Sequence, residues 1–280
     1  MNLYFYIILK MSTFLEWIDI TKLNKHMLMF NSNKVLLYDN YPELIDWKLM
    51  SYDENAILIL LKNHTKIDWT NLQENTNSYK IYKFFPEKMN WHWLSENPNA
   101  IHLLEQNLDK LNWSNLSKNK AAMHILKQYP EKIDWDSLSL NTGAIDYLSE
   151  NKDRINWLLL SMNEAATPIL EKNINYIYWI QLSSNIGAIS ILEKYPERIV
   201  WCYLCENKNA MRIIYKYPEK ISWPHLSGNP AAIDLLKRNL YKVDWDVLSK
   251  NPAAIGILEN NPYKINWDNL SMNPSIFCDT

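Results

Sequence analysis

Cys202 and Cys205 stand three residues apart, the spacing of a redox dithiol or of half a zinc set. No second pair and no nearby histidine completes a metal site, and no thioredoxin-like pattern surrounds them. The six histidines (26, 64, 92, 102, 124 and 225) fall at no ligand spacing. His102 and His124 are 22 residues apart and are expected to be surface neighbours. Serines recur at that same interval, from Ser51 to Ser271, and a nucleophile needs one copy, not many. With only 4 glycines in 280 residues, no Gly-rich phosphate loop is available. No catalytic, cofactor-binding or metal-ligating residue is assigned, and the expectation is a non-enzyme without a cofactor.

The elements that carry these residues repeat. Trp47, Trp69, Trp91, Trp113, Trp135, Trp157, Trp179, Trp201, Trp223, Trp245 and Trp267 are each 22 residues apart, and only Trp17 and Trp93 lie off this register. Taking Trp as position 0, Leu stands at +3 in ten of eleven repeats and Ser at +4 in nine. Asn stands at +6 in ten of eleven and Ala at +9 in nine. Position +13 is Leu in eight of ten, +20 is always Ile, Leu, Met or Val, and +21 is Asp or Asn in seven of ten. The register divides the chain into an N-terminal cap at 1–24 and repeats over 25–280. These comprise a degenerate unit 25–46 with Lys25 in place of Trp, ten full units over 47–266, and a truncated unit 267–280.

Each repeat encodes two helices. Asp or Asn at +21 caps a short helix A, α or 3₁₀, with Trp and Leu on one face. Asn at +6 followed by Pro (Pro98, Pro230, Pro252) opens a longer helix B of about ten residues, ended by Asn or Tyr and then Pro. Neither helix is stable alone, so neighbours must stack to bury the apolar set. The fold class is all-α, an α-solenoid. A leucine-rich repeat, whose period includes 22, is disfavoured because two of its four apolar sites are polar or small here. The Trp ladder and the Ser and Asn rows are expected to be core and helix joint. The truncated last unit leaves Ile276 and Phe277 exposed unless something covers them.

The pattern Leu-Ser-x-Asn-Pro-x-Ala-Ile…Asn-Pro-x-Lys-Ile-x-Trp resembles the uncharacterised 22-residue Trp/Asn-Pro repeat proteins of mimivirus-like giant viruses, over residues 25–280. It is also similar to the leucine-rich repeat variant, an α/3₁₀ solenoid in which Asn-Pro opens each helix, although the Trp has no counterpart there. The first resemblance implies a viral protein in the cytoplasm of an infected host cell, or in the virion. Neither brings a catalytic residue.

Hydrophobic residues make up 48% and charged ones 21%, which excludes disorder. The net charge of −2 argues against a dedicated polyanion binder. Position +19 is Lys or Arg in nine of ten repeats, but +18 is acidic in six. The reading is a solvated charge ladder pairing between repeats, with a nucleic-acid-binding or virion structural protein as the alternative. The apolar stretch Leu3 to Leu9 is too short to span a bilayer, and Met11 is an alternative start to Met1. An odd set of three cysteines, the third Cys278, points to a reducing compartment.

In a repeat array, variable positions carry binding. Positions +1 and +2 are mostly polar but turn apolar at Leu158, Leu159, Ile180 and Tyr203, and Tyr176 interrupts the basic stripe in the same stretch. Residues 157–203, with Trp93 as an outlier, are therefore expected to bind a protein partner, host or viral. The chain itself is expected to be a monomer or an end-to-end dimer.

Overall fold

The computed structural model describes residues 14–38 and 41–277. Met1, Met11 and Cys278 lie outside them. Among the described residues the chain is an all-α repeat solenoid of short α- and 3₁₀-helices with no strand, so the leucine-rich alternative falls. Among the described residues no helix is long and apolar enough to cross a membrane. The chain divides into two compact units, Leu72–Tyr217 and Met1–Asn71 with Pro218–Thr280, and the same repeat builds both.

Helix A begins on the ladder Trp in every case, as in Trp135–Ser139 and Trp245–Lys250. The preceding Asp134 or Asp244 has extended backbone, and its carboxylate accepts the N–H of Ser137 or Val247 at 2.8 and 3.0 Å. Helix A is α-helical and four to six residues long, as Trp91–Leu94 and Trp47–Tyr52 illustrate. Asn251 then returns the backbone to φ −72°, ψ 115° and accepts the N–H of Ala253 on its side chain at 3.0 Å.

Helix B is not the uniform ten-residue helix the pattern suggests. It is a 3₁₀ turn, Pro252–Ala254, running into a short α-helix, Ile255–Glu259. A separate 3₁₀ turn, Pro262–Lys264, follows. The reason is local. Proline has no N–H to donate, and the Asn251 side chain takes the N–H of Ala253. The first backbone bond is therefore the i→i+3 one from Ala254 N–H to Asn251 C=O, at 3.0 Å.

The joints between repeats are polar and buried. Ser139 Oγ donates to Trp135 C=O at 2.8 Å and accepts the N–H of Asn156 at 3.0 Å. Asn141 Nδ2 donates to the carbonyls of Ser117 and Asn119, in the preceding repeat, at 2.9 and 3.0 Å. Leu138, Ala144 and Leu148 close the core at the same level. Gly143 and Gly187 stand where the backbone of the preceding repeat comes closest: a Cβ on Gly187 would lie 1.9 Å from Glu164 C=O.

In the unit formed by Met1–Asn71 and Pro218–Thr280, the first and last repeats meet in the geometry of successive repeats. Asn24 N–H donates to Ser271 Oγ at 2.8 Å, and Asn31 Nδ2 donates to Ser271 and Asn273 C=O at 3.2 and 2.7 Å. Shifted by 264 residues, twelve repeat lengths, Asn24 falls 17 residues after Ser271, as Asp68 does after Ser51. The same shift makes Asn31 the +6 asparagine that follows the last repeat. Residues 14–24 thus fill the positions that would follow Phe277. Phe14 stacks on Phe277 with ring centroids 4.9 Å apart, and Leu15 N–H donates to Ile276 C=O at 2.9 Å. Ile276 and Phe277, expected at an exposed end, are buried at 0% and 5%. The exposed apolar end that motivated end-to-end dimerisation is covered from within the chain.

Candidate interaction surface

The ladder tryptophans are half-buried, not core. The +3 side chain is buried in every repeat and the +20 side chain in most, and several of the indoles take a second group on one face. Lys66 lies over Trp47 at 4.7 Å, Lys110 over Trp91 at 5.0 Å and Arg154 over Trp135 at 5.2 Å. Arg198 lies over Trp179 at 5.4 Å and Lys242 over Trp223 at 4.8 Å. These five +19 cations, expected to pair with acids of neighbouring repeats, thus lie on the tryptophan that opens their own repeat, whereas Trp113 and Trp201 take Tyr129 and Tyr217 at 5.2 and 5.4 Å and Lys264 lies over Tyr263 at 6.0 Å. Each such contact contributes about 0.5–1 kcal/mol at an exposed site.

Tyr176 takes the place of the cation on Trp157, with ring centroids 4.7 Å apart and planes 21° from parallel. Here the charged row becomes an aromatic surface, and Tyr176 is 56% exposed. Around it, within the Leu72–Tyr217 unit, Leu158, Tyr178, Ile180 and Tyr203 are 37%, 50%, 51% and 42% exposed. Leu159 is half-buried. Met162, at +5, is exposed and extends the same stretch; sequence reading missed it because +5 has no consistent character. Trp93 is exposed but belongs to the Trp91 repeat, three repeats earlier, where it meets His92 edge-on at 5.5 Å. It does not join the cluster.

A paired exchange produces this surface. In three of the polar repeats, the +1 side chain bonds the +21 side chain of its own repeat. Asn112 Nδ2 meets His92 Nδ1 at 3.0 Å, Asn156 Nδ2 donates to Asp136 Oδ1 at 3.0 Å, and Asn266 Nδ2 donates to Asp246 Oδ1 at 2.8 Å. In the next two repeats the corresponding pairs are Leu158 with Tyr178 and Ile180 with Val200. Both members have become apolar together. The exchange also removes the helix caps, for Tyr178 and Val200 make no side-chain cap bond to the helices they precede. A lost cap costs about 1 kcal/mol.

The other sequence candidates are dispersed. His102 meets Tyr79 edge-on at 6.0 Å, and His124 Nε2 lies 2.7 Å from Glu105 Oε1, so each histidine contacts a residue of the preceding repeat. Cys205 is buried at the +4 joint and Cys202 is half-buried, and the two are not joined by a disulfide. No group of three His, Cys, Asp or Glu side chains among the described residues is placed to hold a metal ion. Comparison with known protein families, curated proteins and solved structures finds no match.

Proposed function

We propose that this chain is a non-enzymatic protein-interaction scaffold. Its docking surface is the apolar stretch Leu158, Leu159, Tyr176, Tyr178, Ile180 and Tyr203, and its occupant is an apolar face of a partner-protein segment. The observation that supports this most directly is the concerted exchange at +1 and +21. Two consecutive repeats lack the cap and carry apolar side chains at both positions where three other repeats hold a hydrogen-bonded polar pair. A contiguous apolar patch of this kind marks an interface more often than chance. Burying each of these side chains in a partner contributes on the order of 1–3 kcal/mol.

The nucleic-acid reading finds less support, because five of the +19 cations that would meet phosphates lie on tryptophan rings. The resemblance to giant-virus repeat proteins suggests a host or viral partner in the cytoplasm of an infected cell, with the virion as the other setting. The test is affinity capture from such cells, with and without nuclease, using the full chain and the Ile180→Ser/Tyr203→Ser variant. Support is a set of nuclease-resistant proteins that the variant loses while keeping its helicity and Tm. Capture that vanishes with nuclease, or that the variant retains, overturns the reading.

A further inference from the structure

A cavity of about 770 Å³ lies where the two ends of the chain meet, within the unit of Met1–Asn71 and Pro218–Thr280. It belongs to the helix-B side of the repeats and is separate from the apolar stretch at 157–203. Two rows line it. Ser275, Asn33 and Asn55 are the +8 side chains of three successive layers, and Ile255, Phe277 and Val35 are the +10 side chains of three successive layers. Polar and apolar rows therefore run side by side along the stacking direction.

The chemistry of the lining is narrow. None of the ten described residues around the cavity is ionisable, so a charged ligand would lose water without gaining a counter-ion. Asn33 Nδ2 donates to Pro274 C=O at 2.9 Å, which orients that amide and leaves its carbonyl as an acceptor. The side-chain amide of exposed Asn55 makes no hydrogen bond among the described residues. An asparagine amide carries the same donor and acceptor as a peptide unit. Its natural complement is a backbone whose own groups are unpaired.

A polyproline II segment has such a backbone, with no internal hydrogen bonds and a turn of about 9.3 Å. Packed helical layers are about 8–10 Å apart, so one turn advances the peptide by one layer. We propose that this cavity binds a short uncharged peptide segment in polyproline II conformation. Its carbonyls and amides lie on the Ser275–Asn33–Asn55 row, and every third, apolar side chain lies on the Ile255–Phe277–Val35 row.

The probe is acetyl-Leu-Pro-Pro-Leu-Pro-Pro-Leu-amide, titrated into the full chain by calorimetry and by amide chemical shifts. Binding in the micromolar range is expected. Asn55→Ala, at an exposed position outside every joint, is expected to weaken it about fivefold. Exchanging the central leucine of the probe for glutamate is expected to weaken it more than about tenfold. Ile255→Lys, at a half-buried position of the lining, provides a second variant with the same expected direction. The proposal is overturned by absence of binding up to about 1 mM, by equal affinity in wild type and both variants, or by equal affinity for the glutamate peptide. Because this cavity lies in the other unit, the result is independent of capture at residues 157–203.

Discussion

Lys34 Nζ lies 2.7 Å from Asp53 Oδ2, and both side chains are more than nine-tenths buried. Lys34 stands at +9, where the repeats keep Ala, and Asp53 stands at +6, where they keep Asn. Elsewhere the +6 amide supplies a donor to the preceding repeat. A carboxylate cannot donate, and the ammonium from that preceding repeat supplies the missing partner. The two departures from the consensus are therefore one exchange. Lys34→Ala alone strands a buried carboxylate, and a loss of about 3–5 kcal/mol is expected. Lys34→Ala with Asp53→Asn restores the consensus pair and is expected to recover most of that loss, or to exceed wild type. Urea denaturation of the two single variants and the double variant measures the coupling. Additive losses would show that the pair is not a unit.

Asn141 makes the corresponding prediction for an ordinary joint. Its side chain accepts from Gly143 N–H at 2.8 Å and donates to Ser117 and Asn119 C=O. Asn141→Ala leaves two buried carbonyls short of a donor, and about 2–4 kcal/mol of destabilisation is expected. Asn141→Asp keeps the cap but buries a carboxylate against two carbonyl oxygens with no cation beside it, and is expected to cost at least as much as Asn141→Ala. If Asn141→Asp matches wild type in denaturant, the cross-repeat bonds carry no stability and the capping bond alone matters.

That contrast shows what the sequence discloses and what it hides. The capping role of Asn at +6 follows from its place before Pro, within one repeat. Its bonds to the preceding repeat depend on stacking geometry that no local pattern encodes. The tryptophans mislead for a related reason. They stand on the apolar stripe, but an indole is large and amphipathic and is often buried on one side only. The cation on its other face comes from 19 residues away. The apolar stretch at 157–203 was legible because its positions are polar in the other repeats. Met162 was not, because +5 varies everywhere. The meeting of the two ends left a signal that is plain in retrospect: Lys22-Leu23-Asn24 repeats the ending Lys264-Ile265-Asn266, and Lys22 lies over Trp267 at 5.1 Å as other +19 cations lie over theirs.

Removal of residues 1–24 takes away Phe14 and Asn24, and with them the cover over Ile276 and Phe277. The uncovered face carries the same Ser and Asn carbonyls that every repeat offers its successor. Self-association is expected for the truncated chain, read as a concentration-dependent mass by light scattering, together with a lower Tm. Phe277→Asp in the full chain is expected to destabilise the junction by about 3–5 kcal/mol without changing a monomeric mass. A truncated chain that remains monomeric at unchanged Tm would show that the junction contributes nothing.

Among the described residues, Tyr82 gives a marked pH dependence. It stands at +13 in place of Leu, is 2% exposed, and hydrogen-bonds Ser78, which replaces Ala at +9 of the same repeat. Burial pushes its phenol up from 10 to about 12, against the smaller opposing effect of the Ser78 bond. The neutral phenol is therefore favoured by the fold. The stability this represents is complete below about pH 10, where the unfolded side chain is also protonated. It is lost as pH rises toward 12, by roughly 2–3 kcal/mol in all. Lysines titrate in the same range in every variant, so the informative quantity is the difference from Tyr82→Phe. At neutral pH that variant loses one hydrogen bond, and a decrease of about 1 kcal/mol is expected. Between pH 10 and 12 its stability should fall less than that of the wild type, and the two curves should cross. Parallel curves in urea denaturation across that range would place the phenol in contact with water and refute its burial.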